Sequence, residues 1–293
     1  MIERNLINLN RLFMEASCLN TLFSNRSMSD LAEKGTCEAF QEAVARFVPN
    51  AKLLSNGEAL ACVFSFMKYH YRNEYVYKSL LLKKTVYGRY SPRTTSALCE
   101  LPVADSIADF VLINGKACVY EIKTDLDNLS RLKMQIQDYY RAFRYVSVVC
   151  SEQTAKGVFR LIENFPVGLT ILTDRLTLKT IREPACFDGT LEPGTQFDLL
   201  RKAERESVLS QCGEELPNTT PVRYYEACLR KFMQIDPTKR ITVFEKVLKE
   251  RGSSINQGAL SLYPEEFKLV AYNHGASFEQ AERLREFTQS HYR

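Results

Sequence analysis

Two apolar runs, IADFVLI at 107–113 and ACVYEIK at 117–123, stand on either side of Asn114-Gly115. Asn-Gly between such runs is the strongest short-range hairpin signal, because glycine accepts the positive φ that a tight turn demands. A chain with this hairpin at its centre must build a sheet around it. Downstream, Leu129, Leu132, Ile136, Tyr140 and Phe143 recur at helical spacing, with Asp127 as the expected N-cap. YVSVVC (145–150) reads as a buried strand, a helix follows near 152–164, and GLTILTD (168–174) reads as another strand. Upstream, 68–84 reads as one helix, ended by a basic loop at 87–93 containing Gly88, Ser91 and Pro92. The order helix, hairpin, helix, strand, helix, strand predicts an α/β fold, a mixed sheet flanked by helices.

Helical additions are expected at both ends. Leu6, Leu9, Leu12 and Phe13 form one stripe within a helical stretch at 1–50. From about 198 onward the pattern is helical, with Ser277 and Gln280 resembling a capping box and Gly275 ending the preceding helix. The expected division is a helical region at 1–67, a core at 68–197 and a helical region at 198–293 packed on that core.

Composition excludes more than it assigns. Lys+Arg total 39 and Asp+Glu 35, a net charge of +4, which permits a polyanionic partner without requiring one. The nine cysteines are odd in number and none forms a CxxC, so free thiols in a reducing cytoplasm are expected rather than disulfides or structural zinc. No apolar run approaches a membrane span and MIERNLINLN has no apolar signal core. His70, His274 and His291 lie far apart without metal-ligand spacing.

The chemistry concentrates in Asp109 and in Glu121-Ile122-Lys123. Residues i and i+2 of a strand share a face, so Glu121 and Lys123 project together while Ile122 points the other way. The hairpin returns Asp109 beside them. Two carboxylates converging from adjacent strands suit a hard cation such as Mg²⁺. Register decides whether they converge. A two-residue loop pairs Asp109 with Tyr120 and throws Glu121 to the other face, so an odd loop such as 114–116, or a bulge, is predicted. The second Glu-x-Lys, Glu266-Phe267-Lys268, lies in a helical pattern where the two charges do not face each other, and receives no role.

Asp109, an apolar strand and Glu121-x-Lys123 resemble the signature of the PD-(D/E)XK nuclease superfamily. Gln135 and Tyr139 match the Q-x-x-x-Y element of its RecB-type branch, and Glu74 occupies the place of its N-terminal acidic residue. RNEYVYK (72–78), YEIKTDLDNLSRL (120–132) and LLRKAE (199–204) are similar to a poorly characterised bacterial subfamily of these nucleases. The resemblance spans roughly 68–205 and implies a restriction-endonuclease-like sheet. Its implied metal ligands, for Mg²⁺ or Mn²⁺, are Asp109, Glu121, the carbonyl of Ile122 and Glu74. Lys123 would position the attacking water, and Gln135 and Tyr139 would hold Lys123 or the nucleic acid.

Beside these roles stand plainer ones. Glu121 and Lys123 can form an ion pair on an exposed strand face, Glu74 and Lys78 an ordinary i,i+4 helix pair, and Gln135 and Tyr139, on the flank of the apolar stripe, helix-edge hydrogen bonds. Arg89, Arg93 and Tyr90 in the basic loop suit phosphates and base stacking; Arg131 is a further candidate phosphate contact, with a solvated position as its alternative. The expectation is a cytoplasmic, metal-dependent nuclease that hydrolyses phosphodiester bonds with a metal-activated water, DNA being the expected substrate and RNA the alternative left open. A catalytically silent nucleic-acid- or partner-binding module on the same fold is the alternative. The C-terminal helical region is a candidate contact for a homo-oligomer or protein partner.

Overall fold

The structure, a computed structural model, describes residues 16–293; the stripe at Leu6, Leu9, Leu12 and Phe13 lies outside them. The chain divides into two compact units. The first joins the described residues up to Leu80 with Ile255–Arg293, and the second is Leu81–Ser254. This division cuts across the three segments read from the sequence: the C-terminal helices are shared between the units at Ser254/Ile255.

The first unit is helical: α1 (Ser17–Leu22), α2 (Asn25–Lys34), α3 (Glu38–Phe47), α4 (Asn56–His70), the start of α5 (Glu74–Lys84), α12 (Gln257–Leu262), α13 (Lys268–His274) and α14 (Phe278–Gln289). Its two sequence-distant parts are tied by main chain. Asn56 N–H donates to the Ser290 carbonyl at 2.8 Å and Tyr292 N–H to that of Leu54 at 3.0 Å. Phe23 stacks on Tyr75 with ring centroids 4.9 Å apart and also meets Phe267 at 5.6 Å. The single helix expected over 68–84 is interrupted at 71–73, because Asn73 accepts the Val76 N–H at 3.3 Å and so caps α5. Ser277 caps α14 by accepting from Gln280 N–H, and Gly275, at φ +97°, ends α13 as expected.

The second unit is α/β. Six strands, β1 (Ser96–Val103), β2 (Ser106–Ile113), β3 (Ala117–Lys123), β4 (Tyr145–Ser151), β5 (Gly168–Leu172) and β6 (Leu178–Arg182), lie in sequence order in one sheet. The β3–β4 and β4–β5 pairs are parallel and the others antiparallel, so the sheet is mixed. The helices of this unit are α6 (Leu132–Tyr140), α7 (Ala155–Leu161), α8 (Pro193–Leu199), α9 (Lys202–Gln211), α10 (Pro221–Gln234) and α11 (Pro237–Ser253). Val111, Ile113, Val119, Val146 and Val148 of the sheet share one core with Leu132 and Ile136 of α6 and with Phe244 and Leu248 of α11. Two local expectations change. Asn128, not Asp127, caps the turn leading into α6, since its side chain accepts the Ser130 N–H at 2.8 Å. Asp127 instead accepts from the Thr124 N–H and hydroxyl, both at 2.7 Å. The basic loop begins later than expected, because α5 widens into a π-helical turn, Thr85–Arg89, closed by Tyr90 N–H donating to the Thr85 carbonyl.

Two stability predictions arise here. Gly252 of α11 runs close against β1: a Cβ there would lie 2.8 Å from the Ala97 carbonyl oxygen and 2.9 Å from Ser96 Cβ. Gly252→Ala is expected to cost about 1–3 kcal/mol by overpacking, read from denaturant unfolding. A gain, which helix propensity alone favours, would show that the contact yields. Burial pushes the Glu245 carboxyl of α11 up to about 7, against the opposing pull of the Ala117 N–H, Lys116 and Arg144. The folded chain therefore keeps a proton that the unfolded chain has released, so this group's contribution to stability falls as pH rises from the ordinary glutamate range through about 7, then levels off. Glu245→Gln removes that fall; equal slopes for native and variant melting midpoints across about pH 5 to 8 would refute the assignment.

Candidate functional site

The hairpin loop has the odd length that a shared site requires. Ile113 pairs with Ala117, leaving 114–116 as a three-residue loop, closed by Asn114 N–H donating to the Lys116 carbonyl at 3.1 Å, with Gly115 at φ +72°. The ladder continues through Val111–Val119 to Phe110–Tyr120. One more step of this register sets Asp109 opposite Glu121. Just past the last pair of the ladder, Asp109 Oδ2 receives the Ile122 N–H at 2.7 Å. Ile122 thus lends its N–H to Asp109, and its side chain is buried.

Glu121 and Lys123 are not an exposed pair. Glu121 is 1% exposed and Lys123 7%. The Lys123 ammonium donates to Glu121 Oε1 at 2.7 Å and to Gln135 Oε1 at 2.9 Å. The other carboxylate oxygen, Oε2, meets the Tyr139 hydroxyl at 2.5 Å. That hydroxyl also lies 2.8 Å from the Ile107 carbonyl, and its single proton serves both contacts. Burial, followed by the negative charges of Glu121, Asp109 and Asp138, pushes the Tyr139 phenol well above its ordinary range and keeps it a neutral donor. Tyr139 is fully buried, deeper than the helix flank expected for it, while Gln135 is half-buried. The four-residue spacing of Gln135 and Tyr139 puts both over the site-bearing face of β3, one on the ammonium and one on the carboxylate.

Sequence reading missed two supporting positions and one acid. Asp138, beside Tyr139, accepts the Ser106 hydroxyl at 2.6 Å, and both residues are buried. This bond and the Tyr139–Ile107 contact fasten α6 to the start of β2, two to three residues before Asp109. The signal available was a serine opening a strand, which names no partner. Glu100 on β1 falls between the pairs Cys99–Phe110 and Leu101–Ala108, hence opposite Asp109. Glu100 is exposed and takes a left-handed φ of +53°, an uncommon backbone for a glutamate.

Glu74 belongs to the first unit, is about half-exposed, and pairs with Lys78 one turn along α5, the plain i,i+4 arrangement. Arg89, Arg93 and Arg131 are exposed and Tyr90 is half-buried, with the Arg89 guanidinium 5.5 Å from the Tyr90 ring centroid. The control motif behaves as expected: Glu266 lies in the middle of the 3₁₀ turn Glu265–Phe267, its carbonyl accepting the Tyr75 hydroxyl at 2.5 Å, and Lys268 pairs with Glu265 at 3.0 Å.

Among the described residues, no three His, Cys, Asp or Glu side chains gather as a ligand cluster. Asp109 and Glu121 offer carboxylate oxygens alone. That all-oxygen set fits Mg²⁺ or Mn²⁺, which are held by few carboxylates and retain waters, and does not fit zinc. All nine cysteines are free, and no described helix is long and apolar enough to cross a membrane.

No curated protein and no solved structure matches the chain. The family model of bacteriophage P4 protein cII matches residues 67–261, about two thirds of the sequence and the whole of the strand-bearing unit, and on that match the chain belongs to the bacteriophage P4 protein cII family.

Proposed function

We propose that the chain is a metal-dependent nuclease of PD-(D/E)XK type that hydrolyses phosphodiester bonds in DNA, in the cytoplasm. One observation carries the reading: Asp109, Glu121, Lys123, Gln135 and Tyr139, singled out from sequence as one signature, occupy one hydrogen-bonded cluster and its immediate strand neighbour. Asp109 and Glu121 are the residues to hold Mg²⁺ or Mn²⁺. When bound, that cation supplies Lewis acidity toward the phosphate and acidifies a coordinated water. Glu121 is held in place by the neutral Tyr139 hydroxyl, and Asp109 by the Ile122 N–H. Lys123, steadied by Gln135, brings a positive charge to where negative charge grows on the phosphate. Exposed Arg89, Arg93 and Arg131 are candidates for backbone phosphates farther along a strand.

A catalytically silent binding module is the second reading. It is favoured by the engagement of both Glu121 oxygens with donors of the protein itself. The test is degradation of linear and circular, single- and double-stranded DNA and of RNA with Mg²⁺, Mn²⁺ or chelator. Metal-dependent cleavage that Asp109→Asn removes supports the nuclease. Nucleic-acid retention without cleavage in any metal supports the module.

A further inference from the structure

Glu121 is buried, and a carboxylate so far from water needs a countercharge. Lys123 supplies it from the same strand face, two residues on, with its ammonium 2.7 Å from Oε1. The other oxygen is engaged by Tyr139, which is itself buried and fastened to Ile107. A cation that reaches this carboxylate arrives beside a donor on each oxygen, and of the two only the Lys123 ammonium carries a positive charge that opposes it. Tyr139 is anchored by its ring and its second contact. Lys123 has a flexible stem and a second acceptor, Gln135 Oε1 at 2.9 Å, that can retain it after it leaves Glu121. A divalent ion and an ammonium on one carboxylate also repel each other strongly in a site of low dielectric.

We infer that the Lys123 ammonium and a divalent cation are alternative occupants of Glu121 Oε1, so that metal binding releases Lys123 from its own strand neighbour while Gln135 keeps it at the site. The inference rests on the nuclease reading and adds a sequence of events to it. Before metal arrives, the catalytic lysine is sequestered as a structural countercharge. Once metal is bound, its charge is turned toward the substrate phosphate. Gln135 is then a positioning residue for the released lysine.

Mn²⁺ binding to the whole chain, followed by the electron paramagnetic resonance of the free ion, tests this without reference to turnover. Lys123→Met is expected to bind Mn²⁺ at least about tenfold more tightly than the native chain, because the competing positive charge is gone. Glu121→Gln is expected to bind far more weakly than either. In the native chain labelled with ¹⁵N, the Lys123 ammonium resonance, assigned by its loss in Lys123→Arg, should shift when Mg²⁺ saturates the site. This second measurement decides the matter if Lys123→Met does not fold. Mn²⁺ affinity in Lys123→Met equal to or below native, or a resonance unmoved by Mg²⁺ that Glu121→Gln no longer binds, overturns the exchange and leaves the nuclease reading standing. Absence of Mn²⁺ binding in both native chain and Lys123→Met overturns both.

Discussion

Asp109→Asn should fold normally and lose metal-dependent DNA cleavage by about a thousandfold or more, equivalent to about 4 kcal/mol of barrier. The substitution separates the two jobs of this side chain. Its structural job is to accept the Ile122 N–H at 2.7 Å, and the amide oxygen of asparagine can accept the same bond. Its chemical job is to present negative charge beside Glu121, and the amide does not. The side chain is half-buried, so stability should change by no more than about 1 kcal/mol. Initial cleavage rates and a thermal melt on the same preparation check both halves. Cleavage within tenfold of native would remove Asp109 from the metal site and, with it, the reason for proposing one.

Lys123→Met should produce the largest loss of stability among these substitutions, about 3–5 kcal/mol, because it leaves the Glu121 carboxylate buried without its counterion. For a unit of this size that corresponds to a fall in Tm of roughly 10 °C. The interpretation depends on a second chain. In Glu121→Leu/Lys123→Met both charges are gone, and Tyr139 can direct its proton wholly to the Ile107 carbonyl. The double variant should recover most of the loss, as buried ion pairs replaced by apolar residues often do. If the double variant is as unstable as the single one, the loss comes from packing of the lysine stem and not from the orphaned carboxylate.

The hairpin was legible because its determinants are local. Asn114-Gly115 announces a turn, and the parity of the loop follows from requiring Asp109 and Glu121 on one face; the observed pairing Ile113–Ala117 meets that requirement. The helix after it was legible from the spacing of Leu132, Ile136 and Tyr140. What escaped reading depends on partners far along the chain. Tyr139 was read as a flank residue because helical angles were taken relative to the apolar stripe alone. The helix packs so closely on β2 and β3 that its flank is also enclosed, through Asp138 on Ser106 and Tyr139 on Ile107. Strand β1 was missed because Glu100 and Pro102 interrupt its apolar alternation, and β6 because it is short and largely exposed. The break before α5 rests on the single side chain of Asn73. The division into units could not be read at all, since nothing near Asn56 announces that its main chain will meet Ser290.

That meeting has a consequence for how the protein comes into being. The strand-bearing unit, 81–254, is contiguous and can close as soon as its own residues have left the ribosome. The first-made helices cannot finish in the same way. Phe23 waits for Phe267, Asn56 for Ser290, and Leu54 for Tyr292, so the faces that meet these partners stay uncovered until 255–293 has been made. A nascent chain of this kind holds those faces open while the whole of 81–254 is being made, the interval in which a holding chaperone has most to offer it.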